Sequence, residues 1–418
     1  MKSCLVMLTK VFPFDNGEEF IENELPITAK AFDKVVLIAT STADNAIRTR
    51  AVPYNTIVHR ISASEIMRRV KPQMIKNFFH IPGAYYGPRE KKSIGGSPMR
   101  RLYLAYFIAK GKAVAKKSSG LLKKMDLGQY DAIIFYSFWF YDTALAAIEL
   151  KGACSAKRCA TYSRAHAYDL YDEKSITHYL PLRPYLLENL DRVFPCSDDG
   201  SNYLKTKYPE SSDKVSTAWL GTNDFGTGPS KVGTEFHIVS CCHIVPKKRV
   251  VLLAQALAML SGSGLKLKWT HCGGGNGLEK LKAYSTKKLG FMECRFPGEL
   301  NNTELMKFYK ETHVDLFVNT SDSEGLPVSI MEACSFGIPI LATDVGGTSE
   351  IVRNGENGFL LDADLTPETL AKEIEHIAHM PQPELQKLRC ASRKIWESDF
   401  SADKNYRLFA ERISRPNI

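Results

Sequence analysis

Two glutamates that flank a turn containing Gly and Pro carry the strongest chemical pattern in the chain. Glu324 and Glu332 lie in Ser321-Asp-Ser-Glu-Gly-Leu-Pro-Val-Ser-Ile-Met-Glu332, which follows the apolar run Leu316–Asn319. Pro327 is expected near the first helical position, so Glu332 falls in the first turns of a helix. The free backbone N–H groups and the positive end of the helix dipole favour an anion there. A phosphate or a hydroxyl-rich sugar could bind at the same helix end.

Other interpretations compete for these two carboxylates. Ser321-x-x-Glu324 and Ser329-x-x-Glu332 both fit a capping box, in which each Glu serves only its own helix. A retaining glycosidase uses a pair of carboxylates about 5 Å apart. Eight residues along a continuous helix rise by roughly 12 Å, so the spacing does not require such a pair.

Short apolar runs alternate with longer helical patterns in the first half of the chain, which favours a parallel sheet with crossover helices. The predicted strands are Cys4–Leu8, Val35–Ala39, Ile57–Ile61, Ala132–Tyr136, Cys159–Ser163 and Arg192–Cys196. Helices are predicted at Glu18–Ala31 and Thr143–Lys151. The Pro, Gly, Lys and Arg of Pro82–Pro98 predict a mobile loop before a helix at Met99–Lys117.

Thr222–Gly233 is rich in Gly, Thr and Pro and has no periodicity, so it is predicted to be a linker. The alternation then restarts, with strands predicted at Phe236–Cys242, Leu265–Cys272, Cys294–Phe296, Leu316–Asn319, Pro339–Ala342 and Gly358–Leu361. The helices between them are predicted at Lys248–Leu260, Gly277–Leu289, Thr303–Glu311, Ser329–Phe336 and Pro367–His379. The fold class is therefore α/β, with two doubly wound Rossmann-like domains and ligands expected in a cleft at the carboxyl ends of their strands.

The segment that begins at Glu324 continues as Ala333-Cys-Ser-Phe-Gly-Ile-Pro-Ile-Leu-Ala-Thr-Asp-Val-Gly-Gly-Thr-Ser-Glu-Ile-Val352. As a whole it resembles the signature of glycosyltransferase family 4: E-G-x-P-x-x-x-x-E-A, then G-x-P-V-I-A-T, then G-G-x-x-E-x-V. Gly346, Gly347 and Glu350 occupy its third part. The resemblance implies a retaining enzyme of GT-B fold, of the type that builds bacterial polysaccharides.

Three further segments resemble parts of the same family. Phe12-Pro-Phe-Asp-Asn-Gly17 is similar to its first strand-to-helix loop, and Ser163-Arg-Ala-His-Ala-Tyr-Asp-Leu170 to the segment that places a His, here His166, beside the transferred sugar. Val239-Ser-Cys-Cys-His-Ile-Val-Pro-Lys-Lys-Arg249 resembles its phosphate-binding turn, G-R-L-x-P-x-K. Lys248 takes the Lys position, but Cys242 and His243 replace the Gly and the Arg. Arg249 is one candidate for the missing cation.

The resemblance also implies the role of each site residue. His166 and Glu324 would position the transferred sugar as the catalytic pair, and Glu332 would accept hydrogen bonds from the ribose. The other donor-binding residues would be Gly17, Lys248, Arg249, Gly325, Leu326 and Pro327. No metal and no cofactor are expected beyond the nucleotide-sugar co-substrate. Residues 1–225 would form the acceptor-side domain, residues 226–395 the nucleotide-sugar-binding domain, and residues 396–418 a helix that returns to the first domain.

Charge is distributed unevenly in a chain of otherwise ordinary composition. The chain has 418 residues, 44% of them hydrophobic, which is typical of two globular domains. The net charge is +9, yet residues 66–125 alone carry fifteen Lys and Arg against one acid, Glu90. This block indicates either an anionic membrane surface or a solvated face, and no nucleic-acid-binding signature accompanies it. The ten cysteines form no CxxC pair, and no apolar run approaches the roughly 20 residues that span a bilayer.

These observations lead to one expected function and to alternatives that stay open. The enzyme is expected to move a sugar from a UDP- or GDP-linked donor to a glycan or lipid-linked saccharide in cell-surface polysaccharide biosynthesis. It is expected in the cytoplasm, and a peripheral position at the inner face of the cytoplasmic membrane stays open. Arg100–Lys117 suits either an interfacial helix or a helix packed on the first sheet. The alternatives are a GT-B-fold epimerase or phosphorylase, or a catalytically silent scaffold subunit, which only Cys242 and His243 favour.

Overall fold

The protein folds into two compact units. A computed structural model describes residues 2–230 and 233–415 of the chain. The first unit runs to Leu220 and also includes the C-terminal stretch from Asp403, and the second unit is Gly221–Ala402. In the part of the chain that the structure describes, no helix is both long and apolar enough to span a membrane.

The first unit is built on a sheet of six parallel strands. They are β1 Ser3–Thr9, β2 Lys34–Thr42, β3 Thr56–Ser62, β4 Ala132–Ser137, β5 Arg158–Ala165 and β6 Arg192–Pro195. Their order across the sheet is β3-β2-β1-β4-β5-β6, so the direction of winding reverses between β1 and β4. In such doubly wound sheets, ligands bind outside the carboxyl ends of the strands at this reversal.

Helices cover both faces of the first sheet. They are α1 Phe20–Thr28, α2 Ala63–Phe79, α3 Pro88–Ile94, α4 Pro98–Leu122, α5 Asp142–Gly152, α6 Ala167–Leu170, α7 Arg183–Asn189 and α8 Asp198–Lys207. One face packs against α2, α4 and α5, and the other against α1 and the C-terminal stretch, through buried residues such as Phe409 and Ile413. Because helices cover both faces of the sheet, all seven residues of β1 are buried, and its sequence is mostly apolar.

The second unit repeats the same architecture. Its strands are β7 Phe236–Cys241, β8 Leu267–Cys272, β9 Glu293–Gly298, β10 Leu316–Asn319, β11 Ile340–Thr343 and β12 Gly358–Leu361. Its helices are α9 Val250–Met259, α10 Leu278–Lys288, α11 Asn302–Glu311, α12 Val328–Ser335, α13 Thr348–Ile351, α14 Pro367–Ala378 and α15 Gln382–Ile395. The strand order is β12-β11-β10-β7-β8-β9, so winding reverses between β7 and β10. A π-helical turn, Trp396–Phe400, then leads into α16 Ala402–Ser414.

The prediction of two doubly wound parallel sheets is confirmed. All twelve predicted strands are present, eleven of them within two residues at each end, while β2 extends three residues further than predicted, to Thr42. The predicted mobile loop Pro82–Pro98 is wrong, because α3 forms inside it, with Pro88 in its first turn and Gly95 as a left-handed C-cap. The predicted linker Thr222–Gly233 has no helix or extended strand in the residues described, and its residues 231–232 lie outside them.

Helix α4 resolves the alternatives that the sequence left open for Arg100–Lys117. Its middle turns are buried among the helices of the first unit, including Leu104, Phe107 and Ile108. A Cβ added at Gly111 would lie 2.6 Å from Leu145 Cδ2, so α4 and α5 touch closely there. Most of α4 is therefore core, and only its N-terminal end presents apolar side chains to solvent.

Candidate functional site

The candidate site of the second unit lies where the direction of winding of its sheet reverses, between β7 and β10. The turn after β7 and the loop after β10 meet there, and Lys248 Nζ lies 2.5 Å from Glu324 Oε1. The same oxygen accepts a hydrogen bond from Ser321 Oγ at 2.6 Å and a longer one from Asn319 Nδ2 at 3.4 Å. The Glu324 carboxylate is thus fixed by a cation and two polar side chains at the strand end. The structure brings together Lys248 and Glu324, which the sequence predicted separately.

Arg249 stabilises the loop that carries Glu324 through hydrogen bonds to backbone carbonyl groups. Its backbone is left-handed, with φ of 47°, and its guanidinium donates to the carbonyl oxygens of Thr320 at 2.6 Å, Ser321 at 3.1 Å and Ala363 at 2.7 Å. Thr320 Oγ1 returns a hydrogen bond to the Lys248 carbonyl at 2.9 Å. These contacts give Arg249 a positioning role at the site and leave no support for it as the substitute for the missing phosphate-binding Arg.

Glycines let a third loop pack directly against Glu324. Gly346 has φ of +55°, and a Cβ there would lie 2.2 Å from the Glu324 carbonyl oxygen. The neighbouring Gly347 N–H donates to the Gly325 carbonyl at 2.8 Å. Only a residue without a side chain can bring the two backbones this close. The G-G pair of the signature therefore shapes the loop that carries Glu324.

Glu332 is buried in the middle of α12. Asn302 Nδ2, at the start of α11, donates to Glu332 Oε1 at 2.8 Å. Burial raises the pKa of Glu332 to about 7, although the Asn302 amide opposes the shift by stabilising the anion. A raised pKa in a buried carboxyl group marks Glu332 as a candidate functional residue.

Neither capping-box interpretation holds. Ser329 lies inside α12, whose N-cap is Pro327 and has no side-chain cap, so Glu332 does not serve a box. Ser321 bonds to the Glu324 side chain itself, and the residues between them are not helical. Pro327 is thus the N-cap rather than the first helical residue. Among the hydrogen bonds of the described residues, none uses the Leu326 N–H, so this group is free to meet a ligand anion.

The two departures from the phosphate-turn pattern have different surroundings. The His243 ring is exposed, with Nε2 3.6 Å from Glu299 Oε1. The Cys242 backbone packs against the glycine loop after β8: a Cβ added at Gly273 would lie 2.0 Å from the Cys242 carbonyl oxygen. The Gly-rich segment after β8 therefore serves loop packing in this structure.

In the first unit, Gly17 lies in the loop between β1 and α1. Its φ is +105°, which favours glycine. Its N–H already donates to Glu19 Oε1 at 2.7 Å, and its carbonyl oxygen accepts from Arg50 at 2.8 Å. The neighbouring Glu18 carboxylate accepts from three successive backbone N–H groups, those of Lys10, Val11 and Phe12, at 2.7–2.8 Å. The Glu18 carboxylate thus already binds the backbone N–H groups at the start of this loop.

His166 lies at the carboxyl end of β5, as the N-cap of α6. Asp169 holds the backbone around it by accepting from the His166 N–H at 2.5 Å and the Phe140 N–H at 2.6 Å. The imidazole packs against Phe138 and Trp139, with ring centroids 4.8 Å away in each case. Both ring nitrogens are buried and have no hydrogen-bond partner in the described structure. Unpaired buried nitrogens are costly, which is consistent with a ligand that completes them.

Several residues of these sites carry no recognisable sequence signal. Asn302 holds Glu332, but next to Asn301 it resembles the start of a capped helix, and Asn301 and Glu304 do form that capping box. Trp139 donates from Nε1 to Glu18 Oε1 at 2.5 Å and so joins the β1 and β4 loops. Knowing that β1 and β4 are neighbours would have pointed to Trp139, since residues after adjacent parallel strands meet.

Comparison with known proteins identifies what this geometry resembles. Residues 228–395 match the family model described as glycosyl transferases group 1. The chain is 24% identical over 242 residues to the putative colanic acid biosynthesis glycosyltransferase WcaL of Escherichia coli K12, a match that covers 56% of this chain and 59% of WcaL. The chain thus spans less than two thirds of that relative. It is 36% identical over 131 residues to the Escherichia coli O-antigen biosynthesis glycosyltransferase WbnH, covering 31% of this chain and 34% of WbnH.

A solved structure shows the same fold over nearly the whole chain. HepE of Anabaena, crystallised with UDP, aligns with a TM-score of 0.65, covering 99% of this chain and 100% of that one at 16% identity. The predicted GT-B fold is thereby confirmed. The resemblance to glycosyltransferases of bacterial polysaccharide biosynthesis is likewise confirmed, by the family model and by the named relatives.

Proposed function

We propose that this chain, whose residues 228–395 match the family model of glycosyl transferases group 1, is a retaining glycosyltransferase. It moves a sugar from a nucleoside diphosphate sugar to a glycan or lipid-linked saccharide of the cell surface. The observation that carries the proposal is the pair of carboxylates in the second unit: Glu324 fixed by Lys248, and Glu332 buried with a raised pKa. Relatives named for colanic acid and O-antigen biosynthesis support the class of product.

In the proposed donor complex, the second unit binds the nucleotide. Glu332 accepts hydrogen bonds from the ribose hydroxyls. Lys248 and the free Leu326 N–H hold the diphosphate, and Gly325 and Pro327 shape the turn that presents this N–H. These donors stabilise the negative charge that develops on the leaving phosphate. Gly17 contributes only if Glu19 releases its N–H, because that hydrogen bond exists without a ligand.

The transfer step retains the configuration at the anomeric carbon. The bond from that carbon to the diphosphate oxygen breaks, and the acceptor oxygen forms its bond on the same face. The acceptor proton passes to the leaving phosphate oxygen. In this proposal Glu324, held through Oε1 by Lys248 and Ser321, positions the sugar and does not act as a nucleophile. His166, whose two ring nitrogens have no hydrogen-bond partner in the described structure, is proposed to contact the transferred sugar.

A thermal-shift panel of UDP- and GDP-sugars tests this proposal first. We expect one nucleotide series to raise the melting temperature, since a ligand present at 100 times its Kd adds about 2.7 kcal/mol of stability. Glu332→Ala should abolish the shift, while Glu356→Ala, an exposed glutamate in the same unit, should leave it intact. No shift with any nucleotide sugar would instead favour a silent scaffold subunit.

Product analysis separates transfer from other reactions of the same fold. The matching donor is incubated with and without polysaccharide fragments as acceptors, and the anomeric configuration of the product is read by NMR. We expect a product with the donor's configuration only when an acceptor is present. An inverted product would contradict retention, and an epimer or a sugar phosphate formed without an acceptor would contradict glycosyl transfer.

We also propose that the basic segment 66–125 lies at an anionic membrane surface. The exposed cations Arg68, Arg69, Lys71 and Lys76 lie on α2, and the exposed apolar Phe79 lies at its C-terminal end. Cations beside exposed apolar groups suit anionic lipid headgroups. Flotation with vesicles containing anionic lipid should carry the protein, and salt should release it. Flotation that salt does not change would contradict the electrostatic part of this proposal.

A further inference from the structure

An open apolar groove runs across the first unit beside the loop that holds His166. Its larger part is a cavity of about 980 Å³, bounded by the N-terminal half of α4, by Tyr141 and Tyr168, and by Ile176. A second cavity of about 420 Å³, lined by apolar side chains, shares Met74, Met99 and Leu102 with the first. The two cavities therefore form one continuous channel, called here the apolar groove, from the strand ends to the end of α2.

The walls of the apolar groove expose an unusual amount of apolar surface. Ile176 is fully exposed, Phe79 is 77% exposed and Met99 is 63% exposed. Scattered exposed apolar residues are common, but these line one depression. A contiguous patch of this kind marks a binding site for an apolar ligand or partner. The volume and open shape suit a flexible chain. A hydrocarbon chain that binds there would bury its surface against apolar side chains and leave water.

A positive charge lies beside two aromatic side chains of the groove wall, and Arg100 and Lys174 also line the groove. The Lys10 ammonium lies 4.5 Å from the Trp139 ring centroid, 4.8 Å from that of Tyr168 and 5.3 Å from that of Tyr141. Among the described residues, no carboxylate pairs with this ammonium within 4 Å. Tyr141 and Tyr168 belong both to this aromatic cage and to the groove wall. The cage also adjoins His166 through Trp139.

We infer that the apolar groove binds the hydrocarbon chain of an amphiphilic acceptor, with the anionic phosphate of its head group at Lys10. This inference rests on the proposed function, because it names the class of acceptor for the proposed transfer. Charge and shape agree: Lys10 lies against two aromatic residues of the groove wall, and the cage around it adjoins the histidine assigned to the sugar. Arg100 and Lys174 in the groove lining add positive charge to the same region. A chain seated in the groove would place the saccharide that follows the phosphate next to His166.

A bilayer surface is the competing occupant of the exposed apolar residues. It would touch the outer rim, including Phe79 and Met99, but it needs neither a cavity nor the Lys10 cation beside Tyr141 and Tyr168. Single amphiphiles in the absence of vesicles, below the concentration at which they form micelles, therefore separate the two. The probes are butyl, octyl and dodecyl phosphate, and octyltrimethylammonium is the probe of opposite charge.

Calorimetric titration of the full chain with these probes tests the inference. Each methylene that leaves water improves affinity about fourfold, so octyl phosphate should bind on the order of a hundredfold more tightly than butyl phosphate. Octyltrimethylammonium should bind at least about tenfold more weakly than octyl phosphate, because it meets Lys10 with like charge. Equal affinities along the chain-length series, or chain dependence seen only when vesicles are added, would overturn the groove as the site.

Matched variants locate the binding. Leu102→Asp puts a charge in the wall shared by both cavities and should weaken octyl phosphate binding about tenfold or more, whereas Ile47→Asp, at an exposed site that does not line the groove, should not. If Leu102→Asp lowers the melting temperature, Met99→Gln replaces it. Lys10→Met should reduce the preference for phosphate over trimethylammonium, with Arg100 and Lys174 accounting for what remains, and Lys10→Arg should keep it in full. Unchanged selectivity in Lys10→Met would overturn the head-group assignment.

The nucleotide thermal shift is measured in parallel on every variant. It reports on the donor site of the second unit, whose residues do not line the groove. A normal nucleotide shift together with chain-length-independent binding means that the groove inference fails while the proposed function stands. Chain-length-dependent binding without any nucleotide shift means that the groove inference stands while the proposed function fails.

Discussion

Lys248 Nζ and Glu324 Oε1 form a 2.5 Å ion pair at the strand ends of the second unit. Both side chains are largely buried, so solvent screens the pair poorly. Without a ligand, the cation assigned to the diphosphate is therefore neutralised by the carboxylate assigned to the sugar. A diphosphate that binds here must share or displace that carboxylate, which couples donor binding to the position of Glu324.

This ion pair predicts opposite effects on binding and turnover. Glu324→Gln removes the charge that competes for Lys248, so UDP should bind more tightly, by about threefold to tenfold, while kcat falls by at least about a hundredfold. Lys248→Met should weaken UDP binding, with Lys248→Arg intermediate. Calorimetry with UDP and a turnover assay measure the two quantities. Weaker UDP binding to Glu324→Gln would contradict the proposed competition.

The raised pKa of Glu332 predicts a pH dependence of donor affinity. At pH 5 the carboxyl group, with its pKa near 7, is mostly protonated and cannot accept two hydrogen bonds from the ribose. Affinity for UDP should rise toward pH 7, by up to about tenfold per pH unit, and then level off. Glu332→Gln is the control. The phosphates of UDP titrate in the same way with both proteins, whereas residue 332 titrates only in the wild type. A profile that is the same in both proteins would rule out the carboxylate as the titrating group.

The same group predicts how stability depends on pH. Burial raises the pKa of Glu332 in the folded chain from an ordinary 4.5 to about 7, so the folded state binds the proton more tightly than the unfolded state. Its contribution is fully present below pH 4.5, declines as pH rises toward 7 and is constant above that. Relative to wild type, Glu332→Gln should gain up to about 3 kcal/mol in free energy of unfolding between pH 5 and pH 8. Urea unfolding at both pH values measures it, and a pH-independent difference would contradict the assignment.

Gly346 predicts a loss of activity through the Glu324 loop. Gly346→Ala places a Cβ 2.2 Å from the Glu324 carbonyl oxygen, so the loop must move, and kcat/KM should fall by about tenfold or more. Gly355→Ala is the matched control: it also has positive φ, +78°, but its Cβ meets nothing within 4 Å. Both variants introduce a left-handed strain of about 1 kcal/mol, and Gly346→Ala should lose more stability than Gly355→Ala because its loop must also move. Equal activities would show that the close approach does not matter.

Independence of a metal ion is a further expectation to test at this site. One Asp-x-Asp sequence, Asp362-Ala-Asp364, follows β12 with exposed side chains and offers a possible metal pair. We expect EDTA to leave transfer unchanged, because Lys248 and the helix N–H groups supply the charge that a cation would otherwise supply. Asp362→Asn and Asp364→Asn should also keep wild-type rates. Activity lost to EDTA and restored by Mg²⁺ or Mn²⁺ would contradict this expectation.

The parallel strands were predictable, whereas contacts made by single side chains were not. Strands such as β1 are continuous apolar runs bounded by turns, and that pattern survives in any context. Helix α2 was missed because Pro72 lies in its middle and its surface is strongly charged, which obscures the helical period. The role of Arg249 depends on a left-handed backbone and on carbonyl groups from two distant segments, and no local pattern encodes those.

The site residues divide in the same way. Glu324, Glu332 and Lys248 were found because Gly and Pro at fixed spacing surround them and restrict the backbone. Asn302 and Trp139 reach their partners only through the strand order, which brings together loops that are far apart in sequence. Motif recognition thus supplied the charged groups, and the fold supplied the neutral side chains that hold them.

The contact between Gly273 and Cys242 has a consequence for how this turn can evolve and be redesigned. Gly273 meets the carbonyl oxygen of Cys242, a group that every amino acid possesses. The identity of residue 242 is therefore open to drift, whereas residue 273 is not, because any side chain there would collide with the main chain opposite. A library built on this turn should randomise positions 242 and 243 and keep 273 constant. The Cys242-His243 pair is then a sequence change that the neighbouring loop tolerates, and it does not indicate that the turn has lost its structure.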